Sequence, residues 1–248
     1  MDPSLVAFLA AGMLIAAFLY ASVGHGGASA YIAAMALAGI APAEMRPVAL
    51  QLNVLVSAIG TYKFWRAGHF RGRLFWPFAV VSIPAAYLGG ALSLPGNAYR
   101  ILVGLVLLYA GGQLWWSARV GDELRPTRPL KIPVAMAIGG VLGVLSGLTG
   151  VGGGIFLSPL LLLFGWAGTK QTSATSAPFI LVNSIAGLAA GLVRNPVPPP
   201  DYAWGLMVAV LLGGWAGAEY GSKRFANPAI RRLLGLVLAI AGGKMVLV

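Results

Sequence analysis

The sequence has no cysteine, only two histidines and only six acidic residues in a chain of 248. Without thiols it forms neither a disulfide nor a thiolate metal site. A divalent-cation site needs converging carboxylate or imidazole groups, and so few of them argue against one. A phosphate-binding P-loop is also missing, so we expect no enzyme, no ATP-driven transport by this chain alone, no metal and no cofactor.

Charged residues are scarce as well: they make up 9% of the chain, against 58% hydrophobic residues, and the mean hydropathy is +0.84. This composition leaves too little polar surface for a soluble globular domain. The apolar runs are unbroken rather than alternating, which favours helices over the strands of a barrel. The sequence therefore predicts an all-α integral membrane protein.

The apolar runs differ in length. Eight are long enough for a helix to cross about 30 Å of hydrocarbon. These are Leu5–Gly24, Val48–Trp65, Leu74–Leu94, Ile101–Ser117, Ile132–Leu148, Ala174–Val193, Tyr202–Tyr220 and Ile230–Val248. Two shorter runs, Gly27–Ile40 and Gly154–Trp166, suit half-helices or re-entrant segments. The sequence thus predicts roughly 8 to 10 transmembrane segments.

Three connections between the runs carry most of the 17 basic residues. They hold Lys63, Arg66, Arg71 and Arg73, then Arg119, Arg125, Arg128 and Lys131, then Lys223, Arg224, Arg231 and Arg232. By the positive-inside rule these connections lie in the cytoplasm, and Pro95–Tyr99 and Arg194–Pro200 lie outside. We expect a multi-pass protein of the cell's inner membrane with both termini outside. No groove-reading motif accompanies the basic residues, so nucleic acid is not an expected partner.

The chain contains an internal repeat. Arg100–Gly112 (RILVGLVLLYAGG) aligns without a gap on Arg231–Gly243 (RRLLGLVLAIAGG), and Val23–Ile32 aligns on Thr149–Ser158. The repeat divides the chain into a first half, 1–118, a basic cytoplasmic linker, 119–131, and a second half, 132–248. If each half crosses the membrane an odd number of times, the halves are inverted relative to each other, as in many secondary transporters.

Glycine clusters occur at equivalent places in the two halves. They are Gly24, Gly26 and Gly27 in the first half and Gly150, Gly152, Gly153 and Gly154 in the second. Each glycine costs a helix about 1 kcal/mol, so such clusters are expected to break it. The short segments would then start as half-helices whose free N–H groups attract an anion near the membrane midplane. Close helix packing is the alternative, and we expect it for Gly89, Gly90, Gly111, Gly112, Gly213, Gly214, Gly242 and Gly243.

Polar side chains within the apolar segments are further candidates for anion binding. In the second half they are Thr149, Ser173, Thr175, Ser176 and Asn183, and in the first half His25, Arg46, Gln51 and Asn53. Hydroxyl and amide groups donate to an oxyanion without a buried counter-charge, and His25 can also exchange a proton. The alternatives are bonds to the helix backbone for the small hydroxyls, a structural hydrogen bond for His25 and an interfacial position for Arg46.

The second-half sequence GLTGVGGGIFLSPLLLLFG and its degenerate copy ASVGHGGASAYIAAMALAG resemble the duplicated glycine motif of the sulfite exporter TauE/SafE family. TSATSAPFILVNSIAG (Thr172–Gly187) also matches the family pattern, whereas the first copy departs from it at His25 and Ala28. The resemblance implies a permease for sulfite, thiosulfate, organosulfonates or related sulfur-containing anions.

These observations favour a secondary transporter of small sulfur-containing anions that works by alternating access. The alternatives are a permease for another small anion, such as a carboxylate, and a non-transporting membrane subunit that scaffolds a partner. The expected partners are the lipid bilayer, the anion, and a coupling proton or other ion. The sequence leaves the oligomeric state open.

Overall fold

The computed structural model describes residues 2–117, 128–194, 198–223 and 228–247. Within these residues there are ten helices and no strand, which confirms the predicted all-α class. The helices are α1 (Pro3–Ala21), α2 (Ala28–Leu37), α3 (Pro42–Arg66), α4 (Gly72–Ala91), α5 (Gly96–Ser117), α6 (Ile132–Thr149), α7 (Gly154–Leu163), α8 (Thr169–Arg194), α9 (Asp201–Lys223) and α10 (Pro228–Leu247).

The order of long and short helices repeats along the chain. A long helix, a helix of 10 residues and three long helices form α1 to α5, and the same series recurs as α6 to α10. At about 1.5 Å per residue, α2 and α7 each extend over roughly half of the hydrocarbon core. Residues 118–127, most of the predicted linker, lie outside the described residues, so the division into 1–118 and 132–248 stays a prediction.

Close contacts give the relative directions of the helices. Two equivalent pairs, α3 with α8 and α5 with α10, run antiparallel, because residue numbers rise along one helix as they fall along the other. Their contacts are Leu50 with Gly187 and Gly60 with Ala177, and Gly104 with Gly242 and Gly111 with Gly235. By contrast, α1 runs parallel to α9, and α4 parallel to α6. Their contacts are Leu14 with Gly213 and Phe18 with Gly217, and Phe78 with Gly139 and Ser82 with Gly143.

Within the described residues, four helices are long and apolar enough to cross a membrane: α1, α4, α6 and α8. Large apolar side chains, among them Phe8 and Val193, point away from the protein interior, as expected of a surface that faces lipid. The helices α3 and α9 are as long, but both carry charged residues near their ends. That α3, α5, α9 and α10 also cross the membrane stays a prediction.

Glycines line several helix contacts. A methyl group on Gly89, Gly90, Gly111, Gly213 or Gly242 would overlap a backbone carbonyl of the neighbouring helix, and one on Gly214 would press against Val56. The packing role predicted for these six glycines is therefore correct. It is wrong for Gly112 and Gly243, because no described residue lies within 4 Å of a methyl group at either position. The sequence repeat places these two next to Gly111 and Gly242, but they do not face a helix of the described structure.

Candidate functional site

The first glycine break connects α1 to α2. Gly24 and Gly27 adopt left-handed backbone conformations, with φ of 76° and 96°. Glycine is required at both, since a side chain on Gly24 would overlap the backbone of Ser173 and one on Gly27 the ring of Tyr31. The Tyr31 hydroxyl donates to the Gly26 carbonyl at 2.8 Å. The predicted break is thus a defined turn inside the protein, and all of its glycines are buried.

The second break connects α6 to α7 and uses three left-handed glycines: Gly150, Gly152 and Gly153, with φ of 81°, 81° and 77°. Gly154, predicted to belong to the break, is instead the first residue of α7. The Thr149 hydroxyl accepts a hydrogen bond from the Val151 N–H at 3.3 Å and donates to the Leu145 carbonyl at 2.7 Å. The Thr149 hydroxyl therefore stabilises the turn by bonding backbone groups that are close to it in the sequence.

Asn53 of α3 joins the two breaks. Its Oδ1 accepts a hydrogen bond from the Ala28 N–H, the first of α2, at 3.1 Å. Its Nδ2 donates to the Val151 carbonyl of the second break at 3.2 Å and lies 3.4 Å from the Ser184 hydroxyl. Asn53 has no exposed surface. A methyl group on Gly26 or on Gly152 would overlap this amide, which explains why both positions are glycine.

A second polar connection runs through buried side chains. His25 Nε2 lies 2.7 Å from the Ser158 hydroxyl of α7, and that hydroxyl lies 2.8 Å from the Ser176 hydroxyl of α8. Ser173 donates from its hydroxyl to the Val23 carbonyl at 2.8 Å. The first break is therefore bonded to α7 and α8 of the second half, and the structure places three predicted site residues, His25, Ser173 and Ser176, in this region. Their role in anion binding stays a prediction.

The start of α7 carries backbone N–H groups that make no hydrogen bond to a described residue. Among the described residues, none accepts a hydrogen bond from the N–H groups of Gly153, Gly154 or Ile155. Such groups carry the positive end of the helix dipole and are suited to an anion. That they bind an anion, as expected from the glycine clusters, stays a prediction.

Arg46 caps a helix. Its two terminal nitrogens donate to the carbonyls of Gly90 and of Leu92, the latter at 2.9 Å, and so meet the C-terminal end of α4. Arg194 donates to the intervening carbonyl of Ala91 at 2.6 Å. Arg46 also lies beside the second break, because a methyl group on Gly150 would be 3.2 Å from its Cγ. Both arginines thus contribute positive charge at this end of the bundle.

Three predicted site residues are not joined to the breaks by any hydrogen bond in the described part of the chain. Thr175 donates to the Gln171 carbonyl of its own helix, as the alternative interpretation expects. Gln51 Oε1 and both amide atoms of Asn183 are buried without a partner. Their role in binding stays a prediction.

Sequence reasoning missed four polar residues around the breaks: Tyr31, Ser146, Ser158 and Ser184. Ser158 lies within the repeated glycine motif, so its position was a usable signal. Ser146 has no such signal, because a serine inside an apolar helix normally bonds its own backbone. In this structure its hydroxyl is fully buried and has no hydrogen-bond partner in the described part of the chain.

A family model described as sulfite exporter TauE/SafE matches residues 8–245. The chain belongs to the TauE/SafE family. It is accordingly a multi-pass membrane transporter, and the resemblance seen in the glycine motif is confirmed. The match spans both breaks and all ten helices at least in part.

Two relatives named as membrane transporters agree with this assignment, and a third relative carries an enzyme's name. The chain is 40% identical over 96% of both chains to "Probable membrane transporter protein y4hK" of Sinorhizobium fredii (strain NBRC 101917 / NGR234). It is 26% identical to "Probable membrane transporter protein YjnA" of Bacillus subtilis (strain 168), over 97% of this chain and 99% of the relative. A protein of Desulforudis audaxviator (strain MP104C) named undecaprenyl-diphosphatase is 29% identical over 80% of this chain and 83% of its own. No solved structure matches.

Proposed function

We propose that this protein is a secondary transporter of small sulfur-containing anions such as sulfite, thiosulfate or organosulfonates. One observation carries the proposal: two half-length helices begin at left-handed glycine breaks that a single buried amide, Asn53, joins. Broken backbone of this kind is tolerated at membrane depth where it lines a site, and transporters place their substrate at such breaks.

The donors at the breaks suit an oxyanion. Backbone N–H groups of α7 offer hydrogen bonds without a buried counter-charge. The hydroxyls of Ser158, Ser173 and Ser176 add donors when they exchange their present partners for the anion. Each such bond to a charged oxygen is worth about 1.5 to 3 kcal/mol, so several together are sufficient to bind a small anion. Gln51, Thr175 and Asn183 belong to the proposal as donors in another state of the transport cycle.

The directions of the helices support inverted halves that work by alternating access. Equivalent helices α3 and α8, and α5 and α10, are antiparallel, as an axis in the membrane plane requires. We place the division at 1–118 and 132–248, with 119–131 as the linker. Movement of one half against the other would then expose the breaks to each side in turn.

Charge at the ends of the bundle supports an inner-membrane topology. Lys63 at the end of α3 lies 2.5 Å from Glu219 near the end of α9, and Lys170 at the start of α8 donates to the Gly221 carbonyl at 2.5 Å. These ends therefore lie together, close to the basic connections. We propose that this end is cytoplasmic and that both termini lie outside.

Flux in proteoliposomes tests the proposal. Labelled sulfite, thiosulfate and a short alkylsulfonate are compared with acetate and succinate. Saturable flux of the sulfur anions alone is the expected result. Flux of the carboxylates alone would favour a carboxylate permease, and absence of saturable flux for every anion would favour the scaffold subunit. A proton gradient applied in parallel tests proton coupling.

A matched pair of glycine variants ties flux to the break. Gly153 and Gly39 have the same φ of 77°, but a methyl group on Gly153 would press against Phe179, whereas nothing lies within 4 Å of one on Gly39. Alanine therefore has the same unfavourable positive φ at both positions. Gly153→Ala should lose most flux at an unchanged folded yield relative to Gly39→Ala, and equal flux would contradict the proposed site.

A further inference from the structure

The two glycine breaks differ in the donors that they leave free. We infer that the anion is held on one side only, by the N-terminal turn of α7 together with the Ser146 hydroxyl, because Asn53 already accepts the first N–H of α2. The inference rests on the proposed function and assigns the substrate to one of two breaks that the sequence repeat makes look equivalent.

At the first break the protein supplies its own acceptor. The Ala28 N–H donates to Asn53 Oδ1 at 3.1 Å, so a side-chain oxygen occupies the position that an anion would take at the start of α2. Asn53 is held there from the other side, because its Nδ2 donates to the Val151 carbonyl. The partial negative charge of Oδ1 also meets the positive end of the α2 dipole.

At the second break no side chain caps the helix. The N-caps Gly153 of α7 and Gly27 of α2 both lack a side-chain hydrogen bond. At α7 the N–H groups of Gly153, Gly154 and Ile155 all lack an acceptor among the described residues, whereas at α2 the Ala28 N–H is bonded to Asn53. The N-terminal turn of α7 thus keeps a set of adjacent donors that α2 has partly lost.

Ser146 of α6 supplies an independent indication of a ligand. Its hydroxyl is fully buried and has no hydrogen-bond partner among the described residues, although a buried hydroxyl without a partner costs about 1 to 3 kcal/mol. Ser146 lies beside the N-cap of α7, since a methyl group on Gly153 would be 3.5 Å from Ser146 Cβ. A hydroxyl and adjacent amide donors at one point form a suitable set for an oxyanion.

The surroundings of the second break are also electropositive. Arg46 lies beside Gly150 with its guanidinium on backbone carbonyls, and within the described residues it forms no ion pair with a carboxylate. Its charge is therefore not neutralised locally and adds to the potential that the α7 dipole creates.

Two serine-to-alanine variants distinguish the breaks. Ser146→Ala removes the hydroxyl at the second break, and Ser29→Ala removes the hydroxyl next to Ala28 at the first, where it donates to the Tyr20 hydroxyl at 3.0 Å. Sulfite and thiosulfate are titrated by calorimetry into purified protein in lipid nanodiscs. We expect Ser146→Ala to weaken binding about tenfold and Ser29→Ala less than about twofold.

Cysteine has a similar size and a weak S–H donor, so Ser146→Cys should have an anion affinity between those of the alanine variant and the wild type. A serine with a purely structural role would not give this order. Equal losses at the two positions, a loss at Ser29 alone, or no loss at either would overturn the one-sided site. Absence of binding by the wild-type protein would overturn the proposed function itself, so the two failures are distinguishable.

Discussion

The side-chain nitrogen of Asn53 lies 3.2 Å from the carbonyl oxygen of Val151, so a residue of the first half binds the glycine break of the second. The same amide accepts the first N–H of α2. One side chain thus fixes both interruptions of the backbone relative to each other. Any movement of one half against the other must carry Asn53 along or break these bonds.

Replacing Asn53 with leucine should lower the free energy of unfolding by about 2 to 4 kcal/mol, because the Ala28 N–H and the Val151 carbonyl would be buried without partners. Thermal and denaturant unfolding of the purified protein in detergent measure this loss. Ser57→Ala is the matched control in the same helix, since the Ser57 hydroxyl donates only to backbone carbonyls of α3. Similar losses for the two variants would refute the bridging role.

His25 and Ser158 should be energetically coupled. A double-mutant cycle with His25→Ala and Ser158→Ala is expected to give a coupling energy of about 0.5 to 1.5 kcal/mol, because the two side chains share a buried hydrogen bond of 2.7 Å. The control cycle pairs Ser158→Ala with Thr175→Val, because the Thr175 hydroxyl donates to a carbonyl of its own helix. Additive effects in the first cycle, as in the control, would show that the contact has no energetic role.

The half-length helices could be predicted from the sequence because glycine clusters and short apolar runs act locally. The contacts between the breaks could not, since they depend on how α3 packs. Asn53 illustrates this: its polarity predicts a position away from lipid, but not its bonds to both breaks. Helix ends were also hard to predict, and α3 begins at Pro42 rather than Val48, because hydropathy detects only the apolar part of a helix whose ends reach the polar layer.

Gly213 and Gly205 of α9 should respond in opposite ways to substitution by alanine. A methyl group on Gly213 would overlap the Leu14 carbonyl of α1, so Gly213→Ala should reduce the yield of folded protein and its thermal stability. Nothing lies within 4 Å of one on Gly205, where alanine should stabilise the helix by up to about 1 kcal/mol. Size-exclusion profiles and melting curves measure both effects, and a stable Gly213→Ala protein would contradict the close packing of α1 on α9.

Ala67 and Ala98 test which end of the bundle is cytoplasmic. Both are exposed, and the chain has no native cysteine to interfere with labelling. An impermeant maleimide should label Ala98→Cys in intact cells and Ala67→Cys only after permeabilisation, because Ala67 lies between basic residues of the connection after α3. The reverse pattern would invert the proposed topology while leaving the fold intact.

Arg46 separates binding by a fixed cation from binding by dipoles and neutral donors. Its guanidinium meets the last carbonyls of α4, so Arg46→Gln should lower the free energy of unfolding by about 1 to 2 kcal/mol. Arg46→Lys keeps the charge but loses the two guanidinium nitrogens that reach two carbonyls. Its free energy of unfolding should therefore lie between those of Arg46→Gln and the wild type. Arg194→Gln is the control, because Arg194 donates to the neighbouring carbonyl but is exposed.

Affinity for sulfite, measured by calorimetry on the same Arg46 variants, decides between the two modes of binding. If the N–H groups of α7 and nearby hydroxyls hold the anion, Arg46→Gln should weaken binding by less than about 1 kcal/mol, since only the long-range electrostatic attraction of the arginine charge is lost. Alanine at Ser173, Ser176 or Ser146 should then cost as much or more. A loss above about 3 kcal/mol at Arg46→Gln, with less than about 0.5 kcal/mol at every serine, would make the guanidinium the principal ligand, because only a direct charged hydrogen bond is worth that much.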